Sequence, residues 1–328
     1  MDVKKWKQDA AAAMSVARQP KQVILAYAAV NLGLTLLSSL VTMWTSRSIS
    51  NSGGLGNMGT RSMLSTVQMV VPLAVSLILM CWEMGYLSAT LRFARKQYAD
   101  IKDLRGGFRL FGPTLRLNLL QGLIYLGAGL VSTWFGSQIF TVTPFARDMM
   151  QTMESLIAEG IMTTEAVLQN EAFQQSMAGA TVPLLCIVGL IFLLLAVPVS
   201  YHYRMAALRL VEHPREGAMA ALRNSRAMMR KNCLRLFRLD LSFWWLYLLN
   251  ALATLVCYGD QLLPLLGITL PVSSTAGYFL FYGLYLVLQF VILYFFRNYQ
   301  EVCYARVYED LRPREQENAV VLGNIFTM

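Results

Sequence analysis

Apolar residues gather in six long runs along this chain, at 22–44, 67–91, 116–136, 181–203, 240–258 and 276–296. A helix needs about 20 mostly apolar residues to cross the hydrocarbon of a bilayer. Each run meets or approaches that length, so the pattern predicts an all-α polytopic membrane bundle of about six transmembrane helices. The fifth run is the shortest. Trp244 and Trp245 near its start fit the aromatic belt of a membrane–water interface.

A different period appears between the fourth and fifth runs. On a wheel of about 100° per residue, Ala218, Ala221, Leu222, Ser225, Met228 and Met229 share one arc, and Arg223, Arg226 and Arg230 share the far side. This predicts an amphipathic helix over 218–231, lying on the inner membrane surface or against the cytoplasmic ends of the spans. Pro214 is placed to open it, and Glu216 complements its dipole. Arg235 and Arg238 then anchor the start of span five.

The remaining segments predict simpler roles. A Ser/Gly-rich stretch, 45–66, reads as an outer loop, and its "GLGNMG" at 54–59 reads as a linker, since no βαβ unit surrounds it. "FARDMMQTMESLIAEG", within 137–180, has helical spacing and predicts short helices capping the outside. The apolar stretch 262–272 is expected to dip into the interface. Pro198 should kink span four or end its apolar part. Ala128, Ser132 and Gly136 form a small-residue seam in span three. Leu-Arg-Leu steps at 115–117 and 234–236 raise the expectation of repeat units 1–92, 93–204 and 205–306 within one integral membrane domain, followed by a cytoplasmic tail, 307–328. Membrane-exit constraints alone would give the same similarity.

Composition reinforces the membrane reading. Hydrophobic residues are 56% of the 328 and charged residues 14%, against about 25% charged in soluble domains. The net charge of +9 flanks the apolar runs instead of forming one basic domain, which argues against a nucleic-acid partner. Of 28 Lys and Arg residues, five precede span one, seven lie in 92–116, nine in 204–238 and four from Arg297 onward. Only Arg47, Arg61 and Arg147 remain for the opposite side. The positive-inside bias therefore places both termini in the cytoplasm. The cysteines (Cys81, Cys186, Cys233, Cys257, Cys303) show no paired spacing and read as inert thiols.

Candidate chemistry is sparse. No nucleophile–base set, Walker sequence or zinc-protease motif is present, and His202 and His213 lack metal-ligand spacing, so no enzyme activity, metal or cofactor is expected. Glu83 stands out, because a carboxylate at the centre of a span costs about 2.5–3.5 kcal/mol on insertion scales. It should face the bundle interior, be protonated, or pair, as a polar core or coupling residue, with Asn31, Asn118, Gln121, Asn250 or Arg116 as candidate partners. Arg223, Arg226 and Arg230 are the candidate contacts for lipid head groups.

"VPVSYHYRMAALRLVEHPREGAMAALRNSRAMMRKNCLRLFRLDLSF", with "GYLSATLRFARKQYADIKDLRGGF", "FYGLYLVL" and "CYARVYEDL", resembles the domain-of-unknown-function 975 family of bacterial integral membrane proteins. The residues that carry the likeness are Glu216-Gly217-Ala218, Ser225, Met229, Asn232, Leu236-Phe237 and Leu241-Ser242-Phe243. Lys231, Val199 and Trp245 depart from it at positions where the family favours Gly. The resemblance implies a multi-pass protein of a bacterial cytoplasmic membrane and assigns no reaction. A looser likeness to the membrane domains attached to some glycerophosphodiester phosphodiesterases implies lipid association. The expected function is a membrane-embedded binding or scaffold protein, with the bilayer, anionic lipids or a membrane protein as partner. The alternative is a transporter or permease-like subunit using Glu83, against which the sequence offers no pair of interrupted spans.

Overall fold

A computed structural model describes residues 3–16, 20–51, 58–158, 170–259, 262–263 and 274–326. Among these, the chain is helical apart from short turns and connections and has no strand. Five helical stretches are long and apolar enough to cross a membrane: Pro20–Ile49, Arg61–Ala94, Ile101–Thr141, Glu171–Glu212 and Gly277–Arg312. A sixth candidate is a bent pair, Cys233–Leu241 with Trp244–Cys257. The protein is a helical membrane bundle.

The chain divides into two compact units, residues 1–116 with 205–328, and residues 117–204. The first unit holds α1 (Val3–Val16), α2 (Pro20–Asn51), α3 (Met58–Ala94), α4 (Ile101–Gly106) and the 3-10 turn Gly107–Leu110. Its second part holds α8 (Ala206–Glu212), α9 (Gly217–Met229), α10 (Cys233–Leu241), α11 (Trp244–Cys257), α12 (Ser274–Val291) and α13 (Asn298–Phe326), with a π-helical turn at Ile292–Arg297 before α13. α5 (Phe111–Thr141) leads into the second unit, which continues with α6 (Pro144–Ala158) and α7 (Glu171–Tyr203).

Two glycines bring α4 against α3. A Cβ on Gly85 would land on the Leu104 carbonyl, and one on Gly107 would land on the Cys81 carbonyl. No other residue permits so close a backbone approach. In the second unit, Phe140, Ala146 and Ala180 pack together, and Leu156 packs with Phe173. Ser132 is buried, and Gly136 gives room for Val188.

Several expectations change. The stretch 45–66 is not a loop where it is described, because α2 runs to Asn51 and α3 starts at Met58. Its hydroxyls bond back to their own helices, Thr45 to the Val41 carbonyl at 2.9 Å and Thr66 to that of Ser62 at 2.9 Å, so a polar sequence persists as helix. Residues 52–57 of that stretch and 264–272 of the apolar segment lie outside the described residues. Pro214 opens a 3-10 turn, Pro214–Glu216, instead of α9. Gly217, at φ 79°, makes the turn into that helix.

The largest correction concerns span five. Its helix breaks between Leu241 and Trp244, and the two parts bend by 60°. α11 has 14 residues, or about 21 Å of rise, short of a hydrocarbon core about 30 Å thick.

Candidate functional site

The polar groups of the first unit collect in three places. The first is the base of α9. Glu212, at the end of α8, accepts from Arg95 Nη2 at 2.5 Å, Arg312 Nη1 at 2.6 Å and Tyr308 Oη at 2.6 Å. Arg95 also reaches Glu309 Oε1 at 2.6 Å. The carboxylate thus clamps the ends of α3 and α8 to α13, and its low exposure (9%) makes the pairing mandatory. Next to it, Arg209 grips Glu216 through two bonds, Nη2 to Oε1 at 2.8 Å and Nε to Oε2 at 3.1 Å. Asn224 Nδ2 of α9 adds a third, at 3.1 Å. The Arg209 guanidinium holds the Glu216 carboxyl below the usual carboxylate range, partly opposed by desolvation.

This base fixes α9 in one orientation. Its buried residues are Ala218, Ala221, Leu222, Ser225, Met228 and Met229, the six of the apolar arc. They pack against α8 and α13. Arg223, Arg226 and Arg230 are exposed on the opposite side. Among the described residues, none of the three has an acidic partner within ion-pair distance.

The second place is the bend. Lys7 of α1 donates from Nζ to the Ser242 carbonyl at 3.2 Å and stands 4.3 Å from the centre of the Phe243 ring. A cation there satisfies a carbonyl left open by the end of α10 and complements its dipole. Tyr299 of α13 secures α1 in turn, donating to the Lys7 carbonyl at 2.9 Å. Buried Asp240, 8% exposed, accepts from the Tyr304 hydroxyl. Gln300 Nε2 donates to Tyr304 at 2.7 Å and to Tyr247 at 3.0 Å.

Glu83 forms the third, and its side chain is 51% exposed instead of enclosed by the helices. Its Oε1 accepts from Arg297 Nη2 at 3.3 Å, and Arg297 Nε lies 3.7 Å from Glu301 Oε1. One cation therefore stands between two carboxylates. Beside it Tyr86 donates to Asn298 Oδ1, and the Tyr86 and Tyr27 rings stack at 4.0 Å. Arg297 ends the π-helical turn, where the extra residue per turn shifts the side chains that follow.

Two of the residues expected beside Glu83 make bonds within their own helices. Asn31 contributes its main-chain carbonyl to Thr35 at 2.8 Å, and Asn250 turns its amide to the Leu246 carbonyl of its own helix at 2.9 Å. Asn118 is exposed. Arg297 brings a full positive charge to Glu83, which an amide such as that of Gln121 could not supply. The signals that identify it are the four-residue spacing of Arg297 and Glu301 and the position of Arg297 at the edge of an apolar run. Asp240 gave a similar signal as the lone acid opening span five.

A model for a family of proteins of unknown function, DUF975, matches residues 11–315. The chain belongs to that family. No curated protein and no solved structure matches it. In this DUF975 protein, the residues that carry the likeness build the α9–α10 region: Glu216 binds Arg209, Gly217 makes the turn, and Ala218, Ser225, Met229 and Leu236 are buried. Asn232 Nδ2 donates to the Met228 carbonyl at 2.8 Å in the turn between the helices. Ser242 and Phe243 form the bend itself. Trp245, just past the bend, packs edge-on to Phe296 with ring centres 5.0 Å apart.

Proposed function

We propose that this protein is a membrane-embedded binding and scaffold protein, whose basic α9 holds anionic lipid or an acidic segment of a membrane partner. The carrying observation is the arginine row of α9. Its apolar face is occupied by packing inside the unit, so Arg223, Arg226 and Arg230 point outward with charge to offer. Each basic residue near an anionic leaflet contributes about 1 kcal/mol. With 25 of 28 Lys and Arg on one side of the spans, we assign that side and both termini to the cytoplasm. The test is titration of short-chain phosphatidylglycerol onto the detergent-solubilised full chain. Replacing the three arginines by Gln should weaken binding by about a hundredfold; unchanged binding sinks the role.

A second reading is supported by two observations. The α10–α11 break is an interrupted span of the sort transporters use for substrate and ion sites. Glu83, Arg297 and Glu301 supply an intramembrane charge cluster. Under this reading Glu83→Gln abolishes solute flux into vesicles while the protein still folds. Flux that survives the substitution excludes Glu83 as its coupling group.

A further inference from the structure

The face of α10 turned away from the protein is apolar. Leu236, Leu239 and Asp240 are buried, whereas Leu234 and Leu241 are 75% and 59% exposed. Seven residues apart, these two leucines share one helix face. The row continues beyond the bend, where Trp244, Leu248, Leu252 and Leu255 of α11 are exposed at steps of four and three residues. α11 is part of a candidate span, so its outer face meets acyl chains. An apolar row carried around a 60° bend brings α10 into the same surroundings, with its axis turned toward the membrane plane.

One flank of that row is cationic, and the other carries exposed Phe237. Arg238 and Lys231 are exposed, and Arg235 is half-buried, reaching Asn232 Oδ1 at 3.4 Å. Side chains of this length extend from an immersed helix to the phosphate level. Here the apolar face and the charges lie on one side of one helix. On α9 the apolar side is covered by protein.

We infer that α10 lies in the interfacial zone of the leaflet, with Leu234 and Leu241 among acyl chains and Arg235, Arg238 and Lys231 on the head-group phosphate of an anionic phospholipid. The inference rests on the binding role proposed above, narrows its partner to lipid, and stands on a different helix.

The test places a diazirine amino acid at Leu234 of the full chain, in vesicles of equal phosphatidylcholine and phosphatidylglycerol, with irradiation and mass spectrometry of the adducts. Lipid adducts should form at position 234 as they do with the probe at Leu248, and phosphatidylglycerol should exceed phosphatidylcholine severalfold. Arg235→Gln with Arg238→Gln should bring the two lipids level without losing the adducts. Only water or protein adducts at 234, while 248 gives lipid, overturns the immersion. Equal labelling by the two lipids in the unmodified chain overturns the anionic site. The α9 arginine variants separate the two readings: they remove soluble-lipid binding if the broader role holds and leave the adducts at 234 in place.

Discussion

α9 and α10 are neighbours in sequence, both short, basic and amphipathic, yet they dispose of their apolar faces in opposite ways. α9 buries Ala221, Leu222, Met228 and Met229 against helices of its own unit and turns arginines outward. α10 buries Leu236 and Leu239 on one side and exposes Leu234 and Leu241 on the other. The comparison separates two meanings of amphipathicity. A hydrophobic arc says that a face needs cover; only the packing says whether protein or lipid supplies it.

An acid placed on each helix face should have the largest and most unequal effect. Met229→Asp puts a carboxylate at a side chain with 0% exposure and should remove folded protein, since an unpaired buried charge costs about 3–5 kcal/mol or more. Leu234→Asp should leave the protein folded in detergent. Size-exclusion profiles of the two variants check this, and equal loss in both would erase the distinction.

Glu212→Ala comes next. It leaves Arg95 and Arg312 without their shared carboxylate beneath α9 and should destabilise by about 3 kcal/mol, measured as a lower thermal midpoint of the solubilised protein. Lys7→Met tests the bend. Losing one charge-assisted bond to the Ser242 carbonyl should cost about 1.5–3 kcal/mol and raise hydrogen exchange around Phe243, with α9 unchanged.

The smallest effect is in acid. The Glu216 carboxyl lies below its ordinary range because of Arg209, so its contribution is present above the unfolded carboxylate range and is lost as pH falls through the depressed folded value. In Glu216→Gln that part of the acid sensitivity should disappear from a pH series of thermal midpoints.

Much of this arrangement is legible in the sequence, though unevenly. The arc over 218–231 names the residues that α9 buries, because helical periodicity is local. The apolar runs mark the membrane helices for the same reason. The bend at Ser242–Phe243 left no such trace, since neither residue is Pro or Gly and the cation at the break comes from Lys7, 235 positions away. Glu83 signalled a need for a partner without identifying it. Arg297 lies 214 positions on, in a basic edge that topology alone accounts for, and the π-helical turn that precedes it has no signature in hydropathy.

The most direct measurement of the central claim, that the basic arm of this membrane bundle holds anionic lipid, is native mass spectrometry of the gently solubilised full chain with its own lipids. The wild type should retain a discrete acidic phospholipid, and the Arg223→Gln, Arg226→Gln, Arg230→Gln variant should lose most of it while remaining folded. Retention of the same lipid at the same occupancy in both would contradict the account.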